Sequence, residues 1–119
     1  MWDRLEKWYN NADAKMTRDR YLEVCEQLGR EPDPDKMPPD FSDLPPVVQE
    51  ALNIFNLLGD RIVADIGYLG KDYSLLPVYL VDVESKELFL EVLSWMDNKV
   101  IKKSADEMKR MREQAKRTT

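Results

Sequence analysis

The chain has 119 residues, 43% of them hydrophobic and 34% charged, with a net charge of −5. This length and apolar content predict one folded domain rather than a disordered chain. Because the sequence has no histidine and only one cysteine, it lacks the commonest metal ligand, the usual Ser-His and Cys-His nucleophile pairs, and any intramolecular disulfide.

The first half of the chain predicts three helices. Trp2 to about Asn11 carries apolar residues at helical spacing, and Thr17 is a good N-cap for a second helix that ends at Gly29. Cys25 lies on the apolar face of that second helix, which predicts a buried, unreactive thiol. The third and clearest helix starts near Pro45 and Pro46, carries a broad apolar stripe, and ends at Gly59.

Residues 30–46 separate the second helix from the third. They contain six of the seven prolines and five acidic residues, which predicts an extended, acidic, Pro-rich connector. We interpret this segment as a loop that joins two helical layers.

Residues 60–72 are broken by Gly67 and Gly70. This pattern favours a single turn plus a loop over a strand pair, although a small hairpin is the alternative. The Gly70-Lys71 pair does not belong to a phosphate-binding loop. Such a loop needs Gly five residues before Gly70 and Ser or Thr after Lys71, and those positions are Asp65 and Asp72. A further helix is predicted over residues 73–83.

The last predicted helix is long. Ser85 is its N-cap, and an apolar stripe continues to about Ile101. The capping-box pattern of Ser104 and Glu107 indicates that the helix breaks and restarts there. The sequence therefore predicts an all-α fold: a compact bundle of about five helices with a core domain over residues 1–103 and a basic helical C-terminal arm over residues 104–119.

Charge is distributed unevenly along the chain. Residues 1–98 carry 10 basic and 20 acidic side chains, whereas residues 99–119 carry 8 basic and 3 acidic ones. Three interpretations of the basic end are open: contacts with nucleic-acid phosphates, docking of the helix on a partner protein, or a solvated terminal helix whose charge balances the acidic body. Met108 and Met111 are candidate apolar anchors, and Trp2 and Trp8 are candidate anchors at the other end of the chain. The basic candidates are Lys99, Lys102, Lys103, Lys109, Arg110, Arg112, Lys116 and Arg117.

No catalytic, cofactor-binding or metal-binding constellation is recognisable, so we expect a protein without a cofactor that is not an enzyme. The start of the chain does not resemble a signal peptide, and no apolar run approaches the roughly 18 residues of a membrane span. We therefore expect a cytoplasmic protein that does not bind membranes.

The run PPDFSDLPPVVQEALNIFNLLGDR followed by IGYLGKDY resembles a family of small proteins encoded by tailed bacteriophages. The resemblance implies a role in virion or tail assembly, as an assembly factor, chaperone or small structural protein in the host cytoplasm or the virion. Its partner would be another protein, a virion component or a second copy of the chain. The alternatives are a nucleic-acid-associated accessory protein that uses the basic arm, and an acidic inhibitor directed at the host.

Overall fold

The structure is a computed structural model that describes residues 1–118. In these residues the chain forms five α-helices, one 3-10 helix and one two-stranded sheet. The helices are α1 (Trp2–Asp13), α2 (Arg18–Gln27), α3 (Pro46–Leu57), α4 (Leu76–Tyr79) and α5 (Lys86–Thr118). Residue contacts divide the chain into two units, Met1–Gln49 and the part from Glu50 onward, and α3 begins in the first and ends in the second.

The first unit contains α1, α2 and the Pro-rich connector. Thr17 caps α2 as predicted, because its side chain accepts a hydrogen bond from the backbone N–H of Arg20, and Gly29 follows the helix with φ of 65°. The connector is not wholly extended, since Phe41–Asp43 forms a 3-10 helix inside it. The buried apolar side chains of this unit are Leu5, Cys25, Leu44 and Val48.

The connector is held by polar contacts within the first unit. The guanidinium of Arg18 lies 2.5 Å from a carboxylate oxygen of Asp43 and also donates to the carbonyl of Pro38. Asp43 in turn accepts from the backbone N–H of Asp40. Backbone N–H donation, followed by the Arg18 guanidinium, lowers the pKa of Asp43.

The second unit contains the main difference from the predicted all-α fold. Residues 60–71 form an antiparallel hairpin of β1 (Asp60–Val63) and β2 (Gly67–Lys71), with a register shift between Arg61 and Ile62. The fold is therefore mostly helical but not purely all-α. The glycines that indicated a loop belong to β2, where a strand passes close to another backbone or side chain.

Two helix boundaries also differ from the prediction. The predicted helix over residues 73–83 is reduced to α4, four residues with Pro77 near its start. In contrast, α5 continues through Ser104 without a break. Thr119, the last residue of the predicted arm, lies outside the described residues.

The apolar core of the second unit is formed by side chains from α3, α4 and α5 and from the segments that follow α3 and α4. Those with 9% exposure or less are Ala51, Leu52, Phe55, Leu58, Leu76, Val83, Phe89, Val92 and Leu93. The α5 members recur at helical spacing, and that stripe brings Asp97 into the same region one turn after Leu93.

Candidate functional site

Asp97 is the centre of a polar cluster that fastens the hairpin to α5. Its side chain is buried, with 7% exposure, although it is charged and lies on the apolar stripe of the helix. The hydroxyls of Tyr68, at 2.5 Å, and Tyr73 both donate to this carboxylate. The backbone N–H of Lys71 donates to both carboxylate oxygens, at 3.1 and 3.2 Å. A buried carboxylate needs such donors, because desolvation without them is costly.

Lys71 adds a second set of contacts on the other side of β2. Its ammonium is 2.6 Å from a carboxylate oxygen of Asp60, the residue opposite it on β1. It also donates to the carbonyl of Leu58, just after α3, and lies 4.6 Å from the ring centre of Phe55. Because Lys71 is only 8% exposed, these partners compensate for the loss of its hydration.

The hairpin also contacts α5 at positions after Asp97. The backbone N–H of Tyr68 donates to the hydroxyl of Ser104 at 3.1 Å, and Arg112 donates to the carbonyl of Asp65 at 2.8 Å. A Cβ at Gly67 would lie 3.3 Å from Met108. Residues 97, 104, 108 and 112 share one face of a helix, so β2 and the turn before it lie along that face. The hydroxyl of Ser104 is used by the hairpin, although the sequence indicated a helix cap.

The Asp97 cluster is suited to holding structure rather than to acid–base chemistry. Burial and the hydrogen bonds to Asp97 raise the pKa of Tyr68 and of Tyr73 well above the usual value for a phenol. Both hydroxyls therefore remain protonated donors at neutral pH, and the carboxylate they bind is occupied by three donors. A cleft of about 310 Å³ borders the cluster and is lined mainly by α5 residues.

These raised pKa values predict a loss of stability in alkali. The unfolded tyrosines ionise near pH 10, whereas Tyr68 and Tyr73 stay protonated in the folded protein. The contribution of the two protonated tyrosines to the free energy of unfolding is therefore complete below pH 10 and is lost as the pH rises above it. We expect the free energy of unfolding to fall more steeply above about pH 10 in the wild type than in the Tyr68→Phe/Tyr73→Phe variant. Urea unfolding at a series of pH values measures both slopes, and equal slopes would contradict the assignment.

The predicted basic residues all lie on α5, within or just before its C-terminal half. Lys102, Lys103, Lys109, Arg110, Lys116 and Arg117 are exposed, and the ammonium of Lys99 lies 5.5 Å from the ring centre of Trp95. At 100° per residue, Lys99, Lys103, Arg110 and Arg117 form one stripe on the side of α5 away from the hairpin. Arg112 is separate from this stripe, because it contacts the turn of the hairpin.

The two predicted methionine anchors have different environments. Met108 is half-buried against Gly67, so the hairpin uses part of its surface. Met111, in contrast, is 62% exposed and lies in a shallow concavity along α5 whose lining is of mixed charge: Glu107, Arg110, Glu113, Gln114 and Arg117. Only Met111 therefore presents most of its apolar surface to solvent.

The two predicted tryptophan anchors lie on α1, in the first unit. Trp2 is 39% exposed, whereas Trp8 is half-buried with its ring centre 5.7 Å from that of Phe41. Trp8 thus contributes to holding the connector. These tryptophans therefore belong to the first unit, and the α5 residues belong to the second.

Asp97, Tyr68, Tyr73 and Lys71 were not among the residues singled out from the sequence. A signal for Asp97 exists, since an acidic residue four positions after Leu93 interrupts an apolar stripe. Its partners lie 24 to 29 positions earlier in the chain. Their pairing depends on the hairpin, which the sequence did not favour.

The chain matches no protein-family model, no curated protein and no solved structure. Within residues 1–118, the acidic and cysteine side chains form no group of three or more that would hold a metal ion. None of the described helices combines the length and the apolar character needed to cross a membrane.

Proposed function

We propose that this protein works by binding another protein through the C-terminal half of α5, and that it is not an enzyme. The observation that carries the proposal is the exposure of Met111 on a helix surface that the hairpin holds in place. Methionine is an adaptable apolar anchor, and it is over-represented at surfaces that bind partner helices and peptides. Glu107 and Glu113 lie beside Met111 along with Arg110 and Arg117, but the C-terminal half of α5 has a net positive charge, which would favour an acidic partner.

The hairpin gives this docking element its order. A charged helix of about 15 residues is marginal in water on its own, so it would lose conformational entropy on binding. Contacts from β2 and the turn before it to Ser104, Met108 and Arg112 hold the helix before any partner arrives. The Asp97 cluster then serves binding indirectly, because it fixes the hairpin on α5.

The resemblance to tailed-bacteriophage proteins supplies the setting of the proposal: an assembly factor, chaperone or small structural protein of a virion or tail. A protein of this kind needs a surface for a protein partner rather than a reaction centre. The occupied carboxylate of Asp97 supports the non-enzymatic part of the proposal, since it has three donors and no role left as a general base.

We test this function by co-purification from cells that make the tagged protein. Met111→Glu places a carboxylate where an apolar contact is expected, and we expect it to remove a protein that the wild type retains. Leu28→Glu is the matched control, because Leu28 is also 62% exposed but lies in the first unit. Retention of the same proteins by all three forms would contradict the proposal.

The second candidate function is binding to nucleic acid, and the stripe of Lys99, Lys103, Arg110 and Arg117 favours it. Phosphate contacts by such a stripe release counterions, so affinity would fall steeply with salt. The same purified samples discriminate this candidate from the first. Retained nucleic acid that is lost at high salt would support it, whereas a retained protein that is lost in Met111→Glu would support the first candidate.

A further inference from the structure

The second unit carries another apolar surface, formed by residues that precede α5 in the sequence. Leu57, Leu75 and Tyr79 line a groove of about 220 Å³ whose wall includes the buried Leu58. Leu57 is 66% exposed and Leu75 is 64% exposed, although both are large apolar side chains. The groove is open and small enough that a single side chain, rather than a whole helix, suits it.

The exposed apolar character continues along the chain after the groove. Val78 and Val81 are 69% and 72% exposed, which adds two more aliphatic side chains to the segment that contains α4. Isolated exposed aliphatic residues are ordinary, but several in one short segment mark an interaction site.

The charge of this segment indicates which partner it accepts. Asp72 lines the groove, and residues 72–85 contain two more carboxylates, Asp82 and Glu84, with no lysine or arginine. Hydrogen bonds from Ser74, and to a smaller extent the charge of Arg61, lower the pKa of the Asp72 carboxyl. Two such grooves facing each other would bring like charges together, which disfavours a symmetric contact.

The C-terminal half of α5 has the complementary properties. Residues 108–117 contain five basic side chains and one acidic one, Glu113, around the exposed Met111. The concavity around Met111 is lined by Glu107 and Glu113 as well as by Arg110 and Arg117, so the excess of basic charge belongs to residues 108–117 as a whole. That excess is opposite in sign to the carboxylates of residues 72–85, which favours a contact between the two segments. Every copy of the chain has both surfaces.

We propose that Met111 of one copy inserts into the groove of Leu57, Leu75 and Tyr79 on a second copy. This inference rests on the proposed function, because it names the protein partner of the same α5 surface. The contact joins two different surfaces, so it is head-to-tail and leaves one unused surface at each end. Such contacts produce rings or open chains rather than closed dimers.

The test is the mass of the purified full chain, measured by light scattering and sedimentation velocity over a range of concentrations. We expect the wild type to grow beyond the 14.0 kDa of one chain as concentration rises, and to shrink as salt is added. Met111→Glu and Leu75→Glu each remove one of the two surfaces, and each should weaken self-association about tenfold or more. Leu28→Glu should assemble like the wild type, and circular dichroism checks that every variant is folded.

Mixing the two defective variants gives the decisive result. Leu75→Glu keeps an intact Met111, and Met111→Glu keeps an intact groove, so the mixture should form a species of twice the chain mass and nothing larger. A wild type that stays monomeric, a single variant that still assembles, or a mixture that stays monomeric would each overturn the inference. A monomeric wild type that still retains a different protein through Met111 would leave the proposed function standing.

Discussion

Replacing Asp97 with alanine is expected to lower the free energy of unfolding by about 3 kcal/mol. The substitution removes the acceptor for two tyrosine hydroxyls and for the backbone N–H of Lys71. Hydrogen bonds to a charged group contribute about 1.5–3 kcal/mol each, but the half-exposed tyrosines recover part of this from water. The buried N–H of Lys71 is the donor that recovers least, because a strand and a helix enclose it.

Urea unfolding followed by circular dichroism measures this loss. Asn98→Ala is the matched control, since Asn98 is the next residue on α5 but is exposed, and we expect it to change stability by about 0.5 kcal/mol or less. A double-mutant cycle of Asp97→Ala with Tyr68→Phe should show a coupling of at least about 0.5 kcal/mol. Additive effects, or equal effects of Asp97→Ala and Asn98→Ala, would show that the cluster does not hold the hairpin.

Gly70→Ala is expected to lower the free energy of unfolding by a similar amount, roughly 3 kcal/mol, for a different reason. Gly70 has φ of 125°, a backbone conformation that residues with a Cβ rarely adopt. A Cβ there would also lie 3.1 Å from a carboxylate oxygen of Asp97, so the strand and the carboxylate would have to move apart. The substitution therefore strains β2 and disturbs the Asp97 cluster together.

Gly59→Ala is the control for this prediction, because it is the same chemical change at a site with no atom within 4 Å and no positive φ. Gly59→Ala should leave the free energy of unfolding unchanged or raise it by up to about 1 kcal/mol, because alanine restricts the conformations of the unfolded chain. The same urea titration compares the two variants. Equal stability of Gly70→Ala and Gly59→Ala would contradict the close approach of β2 to α5.

Local sequence signals predicted much of the helical structure. Thr17 and Gly29 bound α2 as capping rules require, and the apolar stripe of α3 includes the buried Val48, Leu52 and Phe55. These features depend on residues a few positions apart, so a single sequence contains them.

The hairpin and the Asp97 cluster could not be predicted in the same way. Gly67 and Gly70 were interpreted as helix and strand breakers, whereas they allow β2 to lie close to Ser104 and Asp97. Similarly, Ser104 matched a capping box but accepts a hydrogen bond from Tyr68, which is 36 positions away. Local rules do not register such long-range partners, and tertiary contacts overrode them here.

The predicted binding residues remain predictions, but the structure separates them into groups. Arg112 and Met108 contact the hairpin, so part of the surface that they could offer a partner is already in contact with the chain itself. Met111 and the stripe that includes Arg110 and Arg117 are exposed on α5. The sequence could not make this distinction, because it depends on which face of α5 the hairpin covers.

The most direct test of the central claim is to replace Met111 with a photo-crosslinking amino acid and to irradiate cells that make the protein. The same replacement at Leu28, which is equally exposed, is the control. We expect position 111 to form a crosslinked product with a protein, either a second copy or a different chain, and position 28 to form none. A product with nucleic acid alone at position 111, no product at all, or the same products at both positions would contradict the assignment of α5 as a protein-docking element.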